Sequence, residues 1–575
     1  MNRRNDFGLG ASASPGLVRR FSRGAVFAAA SIALGAPPAD VGPRSPPVDL
    51  ARYAIVRYVD ARRGNDGEGD GSRERPWASL PHALENIGPP VPGARVALLF
   101  SAGRYRQPTI LLKPRVDLYG GFAAPGGARD VDVHATELDG GELHRIAFGA
   151  DDARVDGFHF VHGRVRGKGA ALFCDGTSPT VANCRFTLNR TEVPQPWAPA
   201  QLHETAHDGG AIFCTNGAAP RIEHCLFADN TTECGRGGAL AADRRAAPRI
   251  VGCVFANNRS GLDDPMRSSD GGAIAFFDRC GGEVSGCVIS ANAALTRNDA
   301  GGVFVALWSS PRIADNVFVA NDGGDDAGGL FIGGQEHRYG VPLDPVPPPE
   351  QFNVVVERNV FVGNTNSSKN SGAMRVTMES RATFRDNLIT ENQGGFYLQR
   401  SEIVAERNTV WQDWRFLEDK PSLGPSRLAG NILKGPLAGA IEARATLTHN
   451  MTEPAAGGTD AIAVTDVFEP DGVSGKIERL RYDAAAGVTI IMPAASLPSA
   501  AQFAGRPIGL KQGKSAQWRV IKEAGDREII LWGRVEPETK AAEEFTILRT
   551  FTLRRDAPAG IGARMGETNH AIDIR

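Results

Sequence analysis

The sequence has little of what marks several common classes of protein. Only 7% of its 575 residues are aromatic, and Lys+Arg 64 nearly balances Asp+Glu 66, for a net charge of -2. No global electrostatic field therefore favours nucleic acid or an anionic membrane surface. No apolar run approaches the ~20 residues that a membrane-spanning helix needs. We expect a soluble mature chain with no nucleic-acid partner and no membrane span.

Cysteine is also sparse, and its spacing gives no support to a zinc site. The 8 cysteines include no C-x-x-C pair. An even number of cysteines in an exported chain permits disulfides. Most of these cysteines fall in repeated columns, however, where a free thiol serves as a small apolar core residue. The state of Cys234 and Cys280, which lie outside the columns, stays open.

The N-terminal region has the composition of a targeting segment. Arg19, Arg20 and Arg23 precede an apolar run over 25–34, which small residues and prolines follow. This order predicts an export signal over 1–38 and a linker over 39–55, with a disordered basic tail as the alternative. We expect the mature chain to be secreted, periplasmic or attached to the cell surface.

One phrase recurs along the chain. "PRIEHCLFADN" (220–230) returns as "PRIVGCVFANN" (248–258) and as "PRIADNVFVAN" (311–321), and a second phrase such as "GGAIFC" (209–214) precedes each copy. The shortest spacing between copies is ~20 residues, which is the size of one structural repeat. The centre of the phrase is one column: Cys184, Cys225, Cys253, Cys287, Asn316, Asn359, Asn387, Asn408, Asn431 and Asn450. Five residues later comes another: Asn189, Asn230, Asn258, Asn292, Asn321, Asn364, Asn392 and then Asp413.

Each repeat contains three short β stretches, and none has the length or period of a helix. Such a unit cannot bury its own apolar side, but stacked copies join like strands into parallel sheets. Alternate residues share a face, so Cys225 and Phe227 point inward together. The pattern predicts an all-β, single-stranded, right-handed parallel β-helix of about ten coils over 56–475.

The chain resembles the secreted right-handed β-helix proteins of the pectin-lyase-like superfamily, which overlap the polymorphic outer-membrane proteins. The segments that carry the resemblance are "YVDARRGNDGEGDGSRERPWASLPHALENI" (58–87), "VDLYGGFAAPGGARD" (116–130), "TELDGG" (136–141) and the asparagine column from Asn316 to Asn450. The resemblance implies the fold over roughly 56–470. It does not select a function, because the family includes lyases, hydrolases, epimerases, adhesins and proteins without activity.

The repeat stops near the C-terminus. Residues 476–546 contain strands and turns without the repeated phrase, which predicts a small β module inserted before the final coil or packed on the end as a cap. "FTILRTFTLRRDAPAGIGARMG" (545–566) resembles a closing coil, and we assign 547–575 to a final coil and tail.

Carboxylates gather before the Gly-Gly strands and offer a candidate Ca²⁺ site. If these turns stack, Asp208, Asp270, Asp299 and Asp326 form a row of the hard oxygen ligands that Ca²⁺ prefers. In the resembled family, lyases use Ca²⁺ to neutralise uronate carboxylates. The alternative is turn chemistry, in which aspartate binds local backbone amides without a metal.

Lyase chemistry also needs a base and an acid. Taking the larger of two alternate residues as inward leaves Phe173, Phe213, Ala241, Ala275, Val305, Ile332 and Arg375 outward on the Gly-Gly strands. This face offers one cation, which counts against a lyase unless loops supply more groups. We predict Arg375 or Arg338 as base and His337 or Tyr339 as acid, with Glu336, His207 and Phe213 binding substrate.

The sequence therefore predicts an exported β-helix that binds or processes extracellular polysaccharide, and a uronate lyase that uses Ca²⁺ is the most specific form of this prediction. Hydrolase or epimerase activity fits less well. The alternative is a non-catalytic surface or adhesive solenoid, for which the apolar outward residues of the strands would form the contact face. A preference of β-branched residues for strands explains the same apolar stripe without any partner.

Overall fold

The computed structural model describes residues 41–87, 93–193, 207–261, 269–295, 298–334, 352–412, 426–434, 445–452, 462–463, 471–483, 486–497, 499–512, 515–535 and 543–551. The predicted export signal lies outside these residues. Among the described residues, no helix is both long and apolar enough to cross a bilayer.

The repeated phrase folds as predicted into coils whose strands stack in parallel. Two sheets have 14 strands each in the described residues. Sheet A contains the "PRI" strands: Ile55–Val59, Val96–Ser101, Val116–Phe122, Arg154–Asp156, Thr180–Ala182, Arg221–Glu223, Arg249–Val251, Glu283–Ser285, Arg312–Ala314, Val354–Glu357, Arg381–Arg385, Glu402–Glu406, Arg427–Ala429 and Thr446–Thr448. Sheet B follows the Cys/Asn column: Gly103–Arg106, Thr136–Asp139, His159–Val161, Arg185–Thr187, Leu226–Ala228, Val254–Ala256, Val288–Ser290, Val317–Val319, Val360–Val362, Leu388–Thr390, Thr409–Trp411, Ile432–Lys434, Met451–Thr452 and Ile462–Ala463.

Two further parallel sheets complete each coil. Sheet C contains the Gly-Gly strands: Ile110–Leu111, Ala147–Phe148, Leu172–Asp175, Ile212–Thr215, Leu240–Ala242, Ile274–Phe276, Val303–Val305, Leu330–Gly333, Met374–Thr377 and Phe396–Leu398. Sheet D, which the sequence did not predict, has two-residue strands between sheets B and C: Arg164–Val165, Arg190–Thr191, Thr231–Thr232, Arg259–Ser260, Ala293–Ala294, Asp322–Gly323 and Thr365–Asn366.

The ten copies of the phrase correspond to the strands of sheet A from Thr180–Ala182 onward, and earlier strands extend the same sheet. A short α-helix, Leu80–Asn86, packs at that end of the core through Leu80, Ala83 and Leu84. The Ser79 side chain caps it by accepting from the His82 amide at 3.4 Å. The helix places an apolar face over the first coils of the described structure.

Like side chains stack on like inside the coils. The rings of Phe186, Phe227 and Phe255 lie parallel, with successive centroids 4.8 and 4.6 Å apart. These distances equal the spacing of neighbouring strands in a sheet, so the register itself aligns the rings. The inward residues of sheets A, B and C form one continuous core.

The cysteine column is core filling, as predicted. All eight cysteines of the chain are buried and carry reduced thiols, including Cys234 and Cys280. The Cys225 amide points at the Cys253 sulfur, 3.4 Å away. Further along the column the chemistry changes, because the Cys287 amide donates to Asn316 Oδ1 at 2.9 Å. Cysteine and asparagine therefore exchange along this column because each presents an acceptor to the amide of the preceding coil.

The asparagines form two ladders along the solenoid. In the first, Asn316 Nδ2 donates to Asn359 Oδ1 at 2.9 Å and to the Val284 carbonyl at 2.9 Å. The second runs from Asn189 to Asn392 in the same manner. It ends on Gln412, whose Oε1 accepts from the Asn392 amide at 2.8 Å. Gln412 thus takes the place predicted for Asp413, which lies outside the described residues.

The C-terminal module is a closed antiparallel barrel of six strands in the described residues. The strands are Val473–Asp483, Val488–Pro493, Pro507–Gln512, Ser515–Gly525, Glu528–Trp532 and Glu544–Ile547, with a 3-10 turn at Ala500–Phe503. Glu544–Ile547 pairs with the first and third of these strands, and Phe545 and Ile547 lie in the barrel core. This start of the predicted closing coil is therefore a barrel strand, because its alternating pattern serves an antiparallel pair as well as a coil.

The barrel packs on the side of the coils and covers the outward face of sheet B. Val488, Val520 and Trp532 of the barrel share one buried cluster with the outward stripe of the sheet. The stripe includes Leu226, Val254, Val288, Val317, Val360 and Leu388. Strand propensity, which was the explanation favoured from the sequence, therefore does not fully account for this stripe. The stripe is an intramolecular contact surface between sheet B and the barrel.

Replacing Asn359 by alanine should destabilise the solenoid. The side chain accepts from the Asn316 amide at 3.0 Å and donates to the Ile313 carbonyl at 2.9 Å, so its loss leaves buried backbone groups without partners. We expect the free energy of unfolding to fall by about 2–4 kcal/mol. Chemical denaturation measures it, with exposed Asn353→Ala as the control; equal effects of the two variants would contradict the ladder's role.

An aspartate placed under the barrel should loosen its docking. Val317→Asp buries a carboxylate in the contact cluster, at an expected cost of about 3 kcal/mol or more. Val355→Asp is the matched control, because Val355 is an outward residue of sheet A that is only partly buried. Hydrogen exchange should show faster exchange in the barrel strands of Val317→Asp alone. Unchanged exchange in the barrel strands of Val317→Asp would contradict the proposed contact between the barrel and sheet B.

Candidate functional site

The register of sheet C determines which of its side chains face outward. Phe173 pairs with Phe213, and the same outward row continues through Ala241, Ala275, Phe304, Phe331, Arg375 and Tyr397. The sequence prediction had Phe304 and Phe331 inward and Val305 and Ile332 outward. This prediction was wrong at these two strands, because the size of a side chain does not decide whether it faces the core or the outside of the sheet. Phe304 and Phe331 stack outside the core, 5.2 Å apart, while Val305 and Ile332 fill it.

Arg375 lies at the polar end of this row. Its guanidinium forms an ion pair with Asp326, donates to Gln399 Oε1 at 3.0 Å and lies 4.6 Å from the centre of the Tyr397 ring. Arg375 and Asp326 are each only about one-sixth exposed, at 16% and 17% of their side chains. A largely buried arginine with planar neighbours is fixed in orientation, which suits recognition of a carboxylate.

Three carboxylates meet beside Arg375. One oxygen each from Asp299, Asp325 and Asp326 lies within 4.8 Å of the other two. Asp270 supports the group, since its Oδ1 accepts from the Asp299 amide at 2.8 Å. The structure thus brings together Asp299 and Asp326 of the four predicted ligands, with Asp270 in contact through the backbone.

Burial raises the pKa of Asp326, and the neighbouring Asp325 raises it further, while Arg375 opposes both effects. Asp325 itself is exposed. Carboxylates this close together repel one another, and a bound cation would relieve that repulsion.

The geometry of the cluster fits Ca²⁺. Ca²⁺–oxygen distances are about 2.3–2.6 Å, so ligands on opposite sides of the ion lie about 5 Å apart. The three carboxylates would be the protein ligands. Asn366 next to them donates to the Asp325 carbonyl at 2.9 Å, and its own Oδ1 is buried without a hydrogen-bond partner among the described residues. An oxygen-rich donor set of this kind suits a hard cation rather than a transition metal.

Asp208 is held differently. It is fully buried in an ion pair with Arg236, at 2.7 Å, and Lys168 approaches it at 3.8 Å. Burial alone would raise the pKa of Asp208, but Arg236 and Lys168 hold it below its usual range. The carboxylate of Asp208 thus neutralises an arginine, and its role as a metal ligand stays a prediction.

His207 and Phe213 are not open to a ligand in the described structure. Phe213 is 1% exposed, and the Lys168 ammonium lies 4.3 Å from its ring centre. His207 is 6% exposed, and burial lowers its pKa. Their predicted role in substrate binding assumed an open sheet face, which the packing around Phe213 contradicts. Glu336, His337, Arg338 and Tyr339 lie outside the described residues, and their roles stay predictions.

The sequence analysis missed Tyr397 and Gln399. A signal was present, because "GGFYLQ" (394–399) aligns with "GAMRVT" (372–377), which places Tyr397 on the row of Arg375 and Gln399 close to its guanidinium.

Comparison with known proteins agrees with this architecture. Residues 146–321 match the family model described as right handed beta helix region. The chain is a right-handed parallel β-helix protein. Among solved structures it is similar to pectate lyase Pel9A, with 12% identity, a TM-score of 0.28 and coverage of 72% of this chain and 83% of that one. It is also similar to a double mutant of the tailspike protein of E. coli bacteriophage HK620, with 11% identity, a TM-score of 0.27 and coverage of 79% and 82%. A search of curated proteins returned no match.

The right-handed β-helix fold was thus predicted correctly from the repeats. The activity does not follow from the fold, since sites of unrelated function occur on one architecture.

The raised pKa of Asp326 predicts a pH-dependent effect of Asp325→Asn. A carboxyl whose pKa is raised in the folded state stabilises that state fully at a pH below its ordinary pKa. This stability is lost as the pH rises through the raised pKa. Asp325→Asn removes a neighbouring negative charge that raises the pKa of Asp326, so less stability is lost as the pH rises. Relative to wild type, Asp325→Asn should therefore gain about 1–2 °C in melting temperature between pH 4 and pH 7, without added metal. Asp526→Asn, in an exposed barrel turn, is the control and should gain nothing.

Proposed function

We propose that this chain is an exported protein that binds an acidic extracellular polysaccharide at Arg375, with Ca²⁺ held by Asp299, Asp325 and Asp326. The observation that carries the proposal is the contact between Arg375 and Asp326, which joins a cation on the outward row of sheet C to a cluster of three carboxylates. Export, the glycan and the ion are parts of this proposal.

The ligand chemistry follows from the groups that meet there. The guanidinium of Arg375 can pair with a uronate carboxylate through two parallel hydrogen bonds. Tyr397 is partly exposed and offers a ring face beside it, while Gln399 offers amide groups to hydroxyls. Bound Ca²⁺ would neutralise a second carboxylate of the same polymer. A repeated solenoid face suits an extended polymer, because successive coils present sites at regular spacing.

The same geometry favours binding over proton abstraction by Arg375. A guanidinium does not lose its proton in proteins, and that of Arg375 already pairs with Asp326 and donates to Gln399. Arg375 therefore suits the role of carboxylate-binding group better than the predicted role of base. The same chemistry counts against Arg338, the other predicted base. The role of His337 or Tyr339 as acid stays a prediction.

Arg375→Ala should weaken binding of polygalacturonate or alginate at least about tenfold in titration calorimetry with Ca²⁺ present. Arg375→Lys should restore part of the affinity, because an ammonium keeps the charge but not the planar pair of donors. Arg381→Ala is the matched control, since Arg381 lies on sheet A and pairs with Glu402. The absence of binding to any acidic polysaccharide would contradict the proposal.

Two further measurements test Ca²⁺ binding and lyase activity independently of each other. Ca²⁺ should raise the melting temperature, EDTA should reverse the effect, and Asp299→Asn should abolish it. Ultraviolet absorbance of unsaturated uronide products decides between a lyase and a binding protein. Binding without such products assigns the chain to the non-catalytic class, and a melting temperature indifferent to Ca²⁺ removes the metal from the proposal.

A further inference from the structure

A cleft of about 600 Å³ lies where the barrel meets sheet B. Its floor includes Glu137, His159 and Arg185 of the early coils, and its opposite wall includes Lys522 and Glu523 of the barrel. This volume is within the range of small-ligand sites, about 300–1,000 Å³. The cleft is on a different sheet from Arg375, so a ligand bound here would not depend on the function proposed for that site.

The floor is an ordered row of polar groups. Glu137, His159 and Arg185 are register partners on three successive strands of sheet B, and the next partner in the row is Leu226. Neighbouring strands are about 4.8 Å apart, so the row presents an acceptor, an imidazole and a donor at regular intervals. At Leu226 the row becomes apolar and passes beneath the barrel. The cleft therefore has a polar end and an apolar end.

The charged side chains of the floor and of the barrel wall are already paired. Glu137 accepts from Arg104 Nε at 2.7 Å, and Arg185 pairs with Asp132 and donates to the Val131 carbonyl at 2.7 Å. On the barrel wall, Lys522 lies 3.6 Å from Glu523. A ligand with a strong net charge would have to displace one of these partners, which leaves the displaced charge uncompensated.

His159 is neutral near physiological pH. Burial, assisted by the charge of Arg185, lowers its pKa to about 4. Its Nε2 lies 2.6 Å from Thr187 Oγ1, which fixes the orientation of the ring. A neutral imidazole adds hydrogen-bonding capacity to the floor without adding charge.

We propose that this cleft binds a short uncharged oligosaccharide. Sugar hydroxyls both donate and accept, so they can use the remaining lone pairs of Glu137 and the N–H groups of Arg185 while the existing ion pairs stay in place. The carbon–hydrogen faces of the sugar rings would pack on Leu226 and Val288 at the apolar end of the cleft. The barrel forms one wall, so binding requires both modules.

The test is titration calorimetry of the full chain with cellotriose, maltotriose and xylotriose, and with trigalacturonate for comparison. At least one uncharged trisaccharide should bind. Ala135→Trp should weaken that binding at least about tenfold, because Ala135 is an exposed residue of the lining and an indole there fills the cleft without removing a charge. Glu137→Gln, a second variant whose side chain has nearly the same volume, should weaken the binding less than Ala135→Trp does.

Two controls locate the effect. Ala123→Trp makes the same change at an exposed residue outside the lining and should bind as wild type does. Arg375→Ala should also leave the affinity for the uncharged trisaccharide unchanged. That result would separate this cleft from the site on sheet C. The proposal is overturned by the absence of binding to all three uncharged sugars, by full affinity in Ala135→Trp and Glu137→Gln, or by tighter, cleft-dependent binding of trigalacturonate.

Discussion

The solenoid depends on the bends between sheets A and B, where the backbone turns sharply and leaves buried amides to satisfy. The residue before each column position has a left-handed backbone, with φ of 49° at His224, 59° at Asp315 and 54° at Arg358. These three residues are not glycines, so their bends cost conformational energy of about 1–2 kcal/mol each. The asparagine ladder compensates, since the side-chain amide of Asn359 binds both the Asn316 amide and the Ile313 carbonyl of the preceding coil. A bend of this kind is thus stable only as a member of a stack.

The regular interior leaves function to what covers each outer face. Sheet B is apolar outside from Leu226 onward because the barrel rests on it, and polar before Leu226 where the barrel ends. Sheet C carries buried aromatic rings over its middle coils and ends in Arg375 and Tyr397. The two candidate sites therefore lie at the borders of apolar surfaces, where charged side chains meet packed ones. Partial burial strengthens electrostatic contacts at such borders and fixes the side chains that make them.

Prediction from the sequence succeeded wherever the repeat imposed the answer. The Cys and Asn columns, the inward pairs such as Cys225 and Phe227, and the parallel architecture all follow from identical residues at identical positions. It failed at Phe304 and Phe331, because burial outside the coil is as complete as burial inside it and residue size cannot tell the two apart. The sequence also offered no sign that Asp208 pairs with Arg236, which lies 28 residues away in the next coil. In the same way, Asp299 and Asp326 could be proposed as neighbours, but their meeting with Arg375 needed the register.

The sequence by itself determined the repeat, the ladder positions and the existence of a C-terminal β module, because each is a local pattern repeated or interrupted along the chain. Only the tertiary structure decided where that module rests and which outward residues it covers. It also decided which carboxylates pair with arginine and which lie together in the cluster beside Arg375. The physical reason is that coil insertions of different length set which residues become neighbours across strands, and burial and charge pairing depend on those neighbours rather than on position in the chain.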